Sequence, residues 1–151
     1  MSYLLDTNVI SELRKGARAD ANVRAWFRDV DPSELYLSVL VIGEIRRGIE
    51  SIRRRDPDSA RALDGWFARV VHDHADRVLA VSFDVAVAWG SFGGPDRLPV
   101  IDALMAATAL VHRLTLVTRN VADVARTGVD VLDPFAPVGV HRPPRRPRRK
   151  G

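Results

Sequence analysis

The chain opens with a short apolar segment that ends abruptly in a carboxylate and then continues at helical spacing. Residues 3–5 are Tyr-Leu-Leu, Asp6 follows them, and Val9, Ile10 and Leu13 recur at the spacing of one helix face. This order predicts a β-strand that turns directly into an α-helix. Because Asp is also a good helix N-cap, Asp6 has two interpretations: a structural cap, or a chemical group at the end of a strand.

The alternation of strand and helix patterns returns along the rest of the chain. Helix-spaced segments separate four further apolar segments that we predict as strands, at residues 35–38, 78–81, 114–118 and 129–132. Strands that alternate with helices favour a parallel sheet joined by right-handed crossovers. The sequence therefore predicts an α/β domain in which the carboxyl ends of all strands lie at one edge of the sheet.

Size and composition fit one domain of ordinary dimensions. The chain has 151 residues, of which 46% are hydrophobic, and this is enough apolar material for a core. It has no cysteine, which excludes disulfides and thiolate metal sites and favours a reducing compartment. No run approaches the roughly 18 apolar residues of a membrane span, and no basic segment precedes an apolar one at the N-terminus. We therefore expect a cytoplasmic protein that does not contact a membrane.

The positive charge is concentrated at the C-terminal end. The net charge of +4 includes six cations in the last ten residues, and removing those six from +4 leaves −2 for the remainder. Residues 137–151 are rich in Pro and Arg, a composition that cannot form a core and that favours disorder. We expect a folded domain over 1–136 and a basic tail over 137–151, which is either a nonspecific RNA-binding segment or a solvated appendage.

Four acids follow predicted strands or begin the helices beyond them: Asp6, Glu44, Asp102 and Asp123. Because parallel strands end at one edge of the sheet, these side chains are candidates for a single cluster. Clustered carboxylates repel one another unless a cation compensates, and an all-oxygen site without Cys or clustered His suits Mg²⁺ or Mn²⁺. Such a site offers attack on a phosphodiester by a metal-activated water.

Each acid also has a structural interpretation. Glu44 could pair with Arg47 on the same helix, Asp102 could interact with a helix dipole, and Asp123 could be an ordinary surface acid. The arginines around Arg46 and Arg47 are typical of a solvated helix face, although they could also contact phosphates.

Two other classes of function compete with a nuclease. The first is a noncatalytic nucleic-acid-binding or partner-binding module, in which the acids cap helices and the tail provides affinity. The second is a phosphoacceptor receiver domain, which also gathers acids at strand ends. A receiver would need a second acid beside Asp6 and a lysine after the last strands, whereas Thr7 follows Asp6 and no lysine lies between Lys15 and Lys150.

Four ordered motifs resemble those of PIN-domain ribonucleases, and the similarity is greatest to the VapC toxins of bacterial toxin–antitoxin pairs, in their FitB-like branch. The motifs are LLDTNVISE at 4–12, LSV at 37–39 leading to GEIRRG at 43–48, DALMAATA at 102–109 and LVTRN at 116–120. The likeness covers roughly residues 2 to 135, and it is the order and spacing of the four motifs that make it specific.

The resemblance implies a three-layer α/β/α PIN fold with a central parallel sheet of four or five strands. It also implies a Mg²⁺- or Mn²⁺-dependent endoribonuclease that acts on RNA as a toxin. The expected partners are a second copy of the chain in a homodimer and a VapB-type antitoxin, in a heterotetramer or a larger assembly.

Carried over position by position, the resemblance assigns Asp6 and Asp102 as principal metal ligands and Glu44 as the third acid. Family members often carry Asp where this chain has Asn120 and a further Asp at the position of Asp123, so we assign Asp123 as the fourth acid. Val124 follows it where the family commonly has an aromatic residue. The expected supporting groups around the carboxylates are Thr7, Asn8, Ser38, Thr118 and Asn120, and the expected RNA-steering cations are Arg46, Arg47 and Arg119.

Overall fold

Five parallel strands form one sheet in the computed structural model, which describes residues 1–94 and 97–137. The strands are β1 (Tyr3–Leu5), β2 (Leu35–Ser38), β3 (Val78–Leu79), β4 (Thr115–Val117) and β5 (Val131–Leu132), in the spatial order β3-β2-β1-β4-β5. β1 lies in the centre, where Tyr3 is in register with Leu35 of β2 and Thr115 of β4. The predicted parallel sheet is confirmed.

Helices cover both faces of the sheet. In the described residues they are α1 (Thr7–Leu13), α2 (Ala21–Asp29), α3 (Val39–Arg53), α4 (Pro57–Asp73), α5 (Phe83–Gly90), α6 (Val100–His112) and α7 (Val121–Ala125). Helices α1 to α4 contact one another, and α5 and α7 both contact α6. Right-handed crossovers place these two groups on opposite faces, since the chain moves outward from β1 to β3 and then returns to β4 and β5. The expected three-layer arrangement is therefore present.

The core is built on the three central strands. Leu4, Leu5, Leu37, Leu116 and Val117 are each at most 1% exposed, as expected for strands covered on both faces. Helical residues with the same burial complete the core, among them Val9, Val23, Val41, Val85, Met105 and Ala106. This packing fixes the carboxyl ends of β1 and β4 beside each other.

Three strands are shorter than predicted. β3 ends at Leu79 instead of residue 81, because Ser82 already caps α5 through its hydroxyl and Val81 is 38% exposed. β4 covers Thr115–Val117 instead of residues 114–118, and β5 begins at Val131 instead of residue 129. None of these differences changes the order of the elements.

The strand order reverses between β1 and β4. The chain proceeds from β1 to β2 and β3 on one side, and from β4 to β5 on the other. In open α/β sheets the crevice outside such a reversal is the usual place for a binding site, at the carboxyl ends of the strands. Asp6 directly follows β1 and Thr118 directly follows β4, so both lie at this crevice.

Two expectations concern the ends of the chain and the membrane. The predicted basic tail lies beyond residue 137 and so outside the described residues. Within residues 1–94 and 97–137, we find no helix with the length and apolar character that crossing a bilayer requires.

Candidate functional site

Asp6 is held from three directions at the end of β1. Its Oδ1 accepts a hydrogen bond from the backbone N–H of Thr7 at 2.7 Å, which caps α1. Its Oδ2 accepts from the hydroxyl of Thr118 at 2.7 Å and from the side-chain amide of Asn8 at 3.2 Å. The capping interpretation of Asp6 is thus correct. Capping leaves the chemical interpretation open, since each carboxylate oxygen can accept more than one bond.

Thr118 connects the two central strands through the carboxylate of Asp6. It is 1% exposed, and while its hydroxyl donates to Asp6 it accepts from the backbone N–H of Asn120 at 3.1 Å and the amide of Asn8 at 3.4 Å. A side chain with all its bonds satisfied in a buried position holds a single orientation. Three of the predicted supporting groups, Asn8, Thr118 and Asn120, therefore form one network that orients Asp6.

Glu44 reaches the same site from α3. Its side chain is exposed, and Oε1 accepts a hydrogen bond from the hydroxyl of Thr7 at 2.7 Å. In the described part of the chain no ion pair joins Glu44 to Arg47, the structural alternative for this acid. Thr7 follows Asp6 directly, so this bond brings the Glu44 carboxylate of α3 to the residue next to Asp6.

Asp102 lies in the first turn of α6, half-buried beside the other three acids. Burial raises the pKa of its carboxyl, and the negative charges of Asp6, Glu44 and Asp123 raise that pKa further. Charges perturb a pKa in this way only when they are close in space. The structure therefore brings Asp6, Glu44 and Asp123 within electrostatic range of Asp102, although 117 positions separate Asp6 from Asp123.

The four acids do not form a preassembled metal chelate. Among residues 1–94 and 97–137 no group of three or more His, Cys, Asp or Glu side chains is arranged closely enough to hold a metal ion. Mutual repulsion between carboxylates opposes such an arrangement until a cation joins them. The donor chemistry nevertheless fits a hard divalent cation, because every available ligand is a carboxylate oxygen and Mg²⁺ keeps several waters when few carboxylates bind it.

The other predicted residues have different roles. Ser38 is fully buried and caps α3, accepting from the backbone N–H of Leu40 at 3.1 Å. It therefore fixes the start of the helix that carries Glu44.

Arg46 pairs with Asp64 at 3.0 Å and with Glu50 at 3.3 Å, and its guanidinium lies 4.6 Å from the ring centre of Phe67. These contacts join α3 to α4.

The remaining two predicted cations differ in their surroundings. Arg47 is exposed on α3. The guanidinium of Arg119 lies over the ring of Phe135, 4.6 Å from its centre, and the Arg119 backbone N–H donates to Oδ1 of Asn8 at 3.3 Å. Arg119 thus directly follows Thr118 at the acid site, with its side chain resting on an aromatic surface.

The raised pKa of Asp102 predicts a stability effect in the metal-free protein. When a carboxyl has a higher pKa in the folded state than in the unfolded state, it contributes to stability at low pH. This contribution is complete below the unfolded-state pKa of about 4, and it is lost as the pH rises through the folded-state pKa. At pH 7 the half-buried carboxyl of Asp102, close to three other acids, therefore disfavours the folded state. We expect Asp102→Asn to raise the melting temperature of the metal-free protein at pH 7 by roughly 2 °C, with the difference disappearing near pH 4, as measured by thermal unfolding in EDTA.

Asp84 provides the matched control for that measurement. It is an exposed acid in the first turn of α5, so Asp84→Asn also removes a favourable charge from a helix N-terminus. We expect no increase in melting temperature for Asp84→Asn at pH 7. An Asp102→Asn protein that melts below the wild type at pH 7 would contradict the electrostatic description of the site.

Comparisons with known proteins match the part of the chain that carries the four acids. The family model described as the PIN domain matches residues 3–128. Among characterised proteins, the chain is 32% identical over 142 residues to VapC ribonuclease Y4jK of Sinorhizobium fredii, an alignment covering 89% of this chain and 98% of that protein. It is 28% identical over 146 residues to toxin FitB of Neisseria gonorrhoeae, covering 87% and 97% respectively.

Solved structures resemble the fold closely. The structure of FitAB bound to an IR36 DNA fragment superposes with a TM-score of 0.81 at 26% identity, covering 89% of this chain and 96% of that one. The crystal structure of FitAcB from Neisseria gonorrhoeae superposes with a TM-score of 0.80 at 27% identity, covering 88% and 98%. The similarity therefore extends over nearly the whole of the described chain.

Proposed function

We propose, from the premise that this chain belongs to the PIN domain family, that it is a divalent-metal-dependent endoribonuclease acting as the toxin of a toxin–antitoxin pair. One observation carries the proposal: Asp102 lies half-buried in the first turn of α6, where burial first, and then the nearby charges of Asp6, Glu44 and Asp123, raise the pKa of its carboxyl. Four acids converging at the crevice of a parallel sheet destabilise the free protein, and a bound cation relieves that repulsion. The names of the similar ribonucleases and toxins support the same function.

Asp6, Glu44, Asp102 and Asp123 would hold the cation, which we propose is Mg²⁺ or Mn²⁺. When bound, such an ion activates a water for attack on a phosphodiester and neutralises charge that develops on the phosphate. The protein's own groups set the geometry. Thr118 and Asn8 hold the Asp6 carboxylate in one orientation, and Thr7 donates a hydrogen bond to Glu44, so the hydrogen bonds of both carboxylates orient them toward the site.

Asp123 and Asn120 are the two candidates for the fourth position of the metal site, and we choose between them by their surroundings. The charge of Asp123 acts on Asp102, whereas the contact of Asn120 at the site is made by its backbone N–H, which donates to Thr118. Asp123 is exposed on α7, so it can approach a cation directly or through a water. We therefore propose Asp123 as the acid and Asn120 as a support for the Thr118 hydroxyl.

The proposed partners follow from the similar proteins. One similar solved structure is FitAB bound to a DNA fragment, and another is a toxin–antitoxin complex from Klebsiella pneumoniae. By analogy we propose that a small VapB-type antitoxin binds this chain and inhibits it. We also propose that the chain forms a homodimer, and that two copies or more assemble with the antitoxin.

Mapping RNA ends in cells tests the proposed function. The wild type and Asp102→Asn are each induced briefly, and the 5′ and 3′ ends of cellular RNA are sequenced. We expect new ends at a limited set of positions in single-stranded regions for the wild type, since bases there are accessible to a protein, and none of them for Asp102→Asn. Identical end profiles for the two proteins at equal expression would rule out a carboxylate-dependent ribonuclease.

A further inference from the structure

A large cavity with aromatic and cationic walls lies beside the acid site. Its volume is about 840 Å³, within the range of ligand-binding clefts. It lies between the end of α5, the residues that follow it, the first turn of α6 and the residues after α7. Trp89, Phe92, Arg97 and Arg126 contribute side chains to its walls, and Gly93 and Gly94 leave part of its rim free of side chains.

The chemistry of these walls suits a nucleotide of a single RNA strand. Bases of single strands stack on aromatic rings in a manner that tolerates any sequence, and arginines bind the phosphates between them. Trp89 is 41% exposed, so a large part of its indole surface is accessible to a ligand. Arg97 is exposed, and within residues 1–94 and 97–137 it forms no ion pair. Its charge is therefore available to a phosphate.

The cavity shares two helices with the acid site. Val100 and Ala103 line it, and Asp102 lies between them in sequence on the adjacent face of α6. Arg126 lines it three positions after Asp123, immediately beyond α7. An RNA strand whose phosphodiester lies at the four acids would therefore place a neighbouring nucleotide at this cavity.

A second cavity also has aromatic and arginine residues in its walls, among them Phe27, Trp66 and Arg24, so it differs from the first in its position. It measures about 380 Å³, and its walls come from β1, α1, α2, α4 and the residues that flank them, not from the helices of Asp102 and Asp123. Its indole, that of Trp66, already lies under the guanidinium of Arg14, 6.0 Å from the ring centre. Outside this cavity, Arg46 is a less suitable phosphate ligand than Arg97, because it already forms ion pairs with Asp64 and Glu50. The observations therefore favour the larger cavity.

We propose that the cavity between α5, α6 and α7 binds a nucleotide of the RNA next to the cleaved bond, with its base stacked on Trp89 and a phosphate held by Arg97. This inference rests on the proposed ribonuclease function and specifies a second contact of the same substrate. Base stacking makes the contact tolerant of sequence, and it requires that the nucleotide in the cavity is unpaired.

Binding without cleavage tests the inference. A fluorescein-labelled, eight-nucleotide single-stranded RNA is titrated with the full chain in EDTA, and fluorescence anisotropy gives the Kd for the wild type, Trp89→Ala, Trp89→Phe and Arg97→Ala. We expect Trp89→Ala to weaken binding about 5- to 100-fold and Trp89→Phe to restore most of it, because stacking needs an aromatic ring. Arg97→Ala should weaken binding for every sequence and reduce the slope of log Kd against log salt by about 0.7.

Two matched controls replace an exposed aromatic residue and an exposed arginine that do not line the cavity. Phe83 lies on the same helix as Trp89 and is 82% exposed, but it does not line the cavity. Arg61 is an exposed cation on α4 that pairs with Asp58. We expect Phe83→Ala and Arg61→Ala to bind the RNA within about twofold of the wild type. An RNA with an abasic residue at each position in turn provides a further control, since its penalty should vanish in Trp89→Ala.

The outcomes separate this inference from the proposed function. If Trp89→Ala and Arg97→Ala bind RNA as the wild type does, the cavity is not an RNA site, whether or not the wild type cleaves. If Trp89→Ala leaves RNA affinity unchanged but alters the sedimentation coefficient, the surface is a protein–protein contact and the proposal is overturned. If the wild type binds RNA through Trp89 yet never cleaves with metal present, the cavity assignment stands and the nuclease function fails.

Discussion

Replacing Asp6 or Asp102 by Asn is expected to lower the rate of RNA cleavage by at least about 10³-fold, which corresponds to roughly 4 kcal/mol of transition-state stabilisation. Each substitution keeps the shape of the side chain but removes one negative charge from the proposed cation site. A cation that is bound weakly or displaced can no longer activate the attacking water or neutralise the phosphate. Single-turnover cleavage of a defined RNA oligonucleotide at saturating protein concentration measures this loss separately from changes in binding.

The interpretation requires that the fold is retained. Among the described residues, Asp102 forms no side-chain hydrogen bond or ion pair that an amide of the same shape would abolish, and its interactions with the three acids are electrostatic, so thermal unfolding should remain cooperative. Asp84→Asn changes the same residue type in the first turn of another helix and should cleave at the wild-type rate. A folded Asp102→Asn protein that cleaves within tenfold of the wild type would show that this carboxylate does not support catalysis.

The convergence of the four acids could be predicted because it depends on topology. Parallel strands end at one edge, so an acid that follows β1 and an acid at the start of α6 approach each other regardless of the number of residues between them. The short apolar segments and the helix spacings were sufficient to define the order of elements, and the five-stranded parallel sheet agrees with that order. Strand ends were less predictable, since Val81 has strand propensity but lies exposed beside the Ser82 cap.

Side-chain partners were harder to predict than positions. The sequence places Thr7 and Glu44 near the site but does not indicate that the Thr7 hydroxyl donates to Glu44. It also leaves Arg46 free to contact RNA, whereas the packing of α3 on α4 brings Asp64 and Phe67 against it. Such pairings depend on the rotation of one helix against another, which the spacing of apolar residues determines only coarsely.

The cavity beside α5 had no recognisable pattern in the sequence. Trp89 and Arg97 belong to different segments, and neither lies in a motif that resembles a known RNA-binding sequence. Glycine-rich sequence such as that after α5 is typical of a loop, but these residues line a cavity only because α5 packs along α6. An aromatic residue shortly before a glycine-rich loop that leads into an acid-bearing helix was the one available signal.

Removing divalent metal is expected to reduce cleavage to the background rate, and adding back Mg²⁺ or Mn²⁺ is expected to restore it. In the proposed mechanism the cation would activate the attacking water and neutralise the charge that develops on the phosphate, so its removal takes away both contributions. The check is to strip the protein with a chelator, exchange it into metal-defined buffer and measure cleavage of the same oligonucleotide. Undiminished cleavage by the stripped protein in excess chelator would exclude a metal-dependent reaction.

The most direct measurement of the central claim, that the four acids share one cation, is a Mn²⁺ titration followed by electron paramagnetic resonance. Free Mn²⁺ gives a strong signal that is lost on binding, so the method counts bound ions without requiring RNA or activity. We predict that the wild type and Asp84→Asn bind Mn²⁺ at one common site, and that Asp6→Asn and Asp102→Asn each lose it. Wild-type Mn²⁺ binding by both Asp6→Asn and Asp102→Asn would contradict a shared carboxylate site.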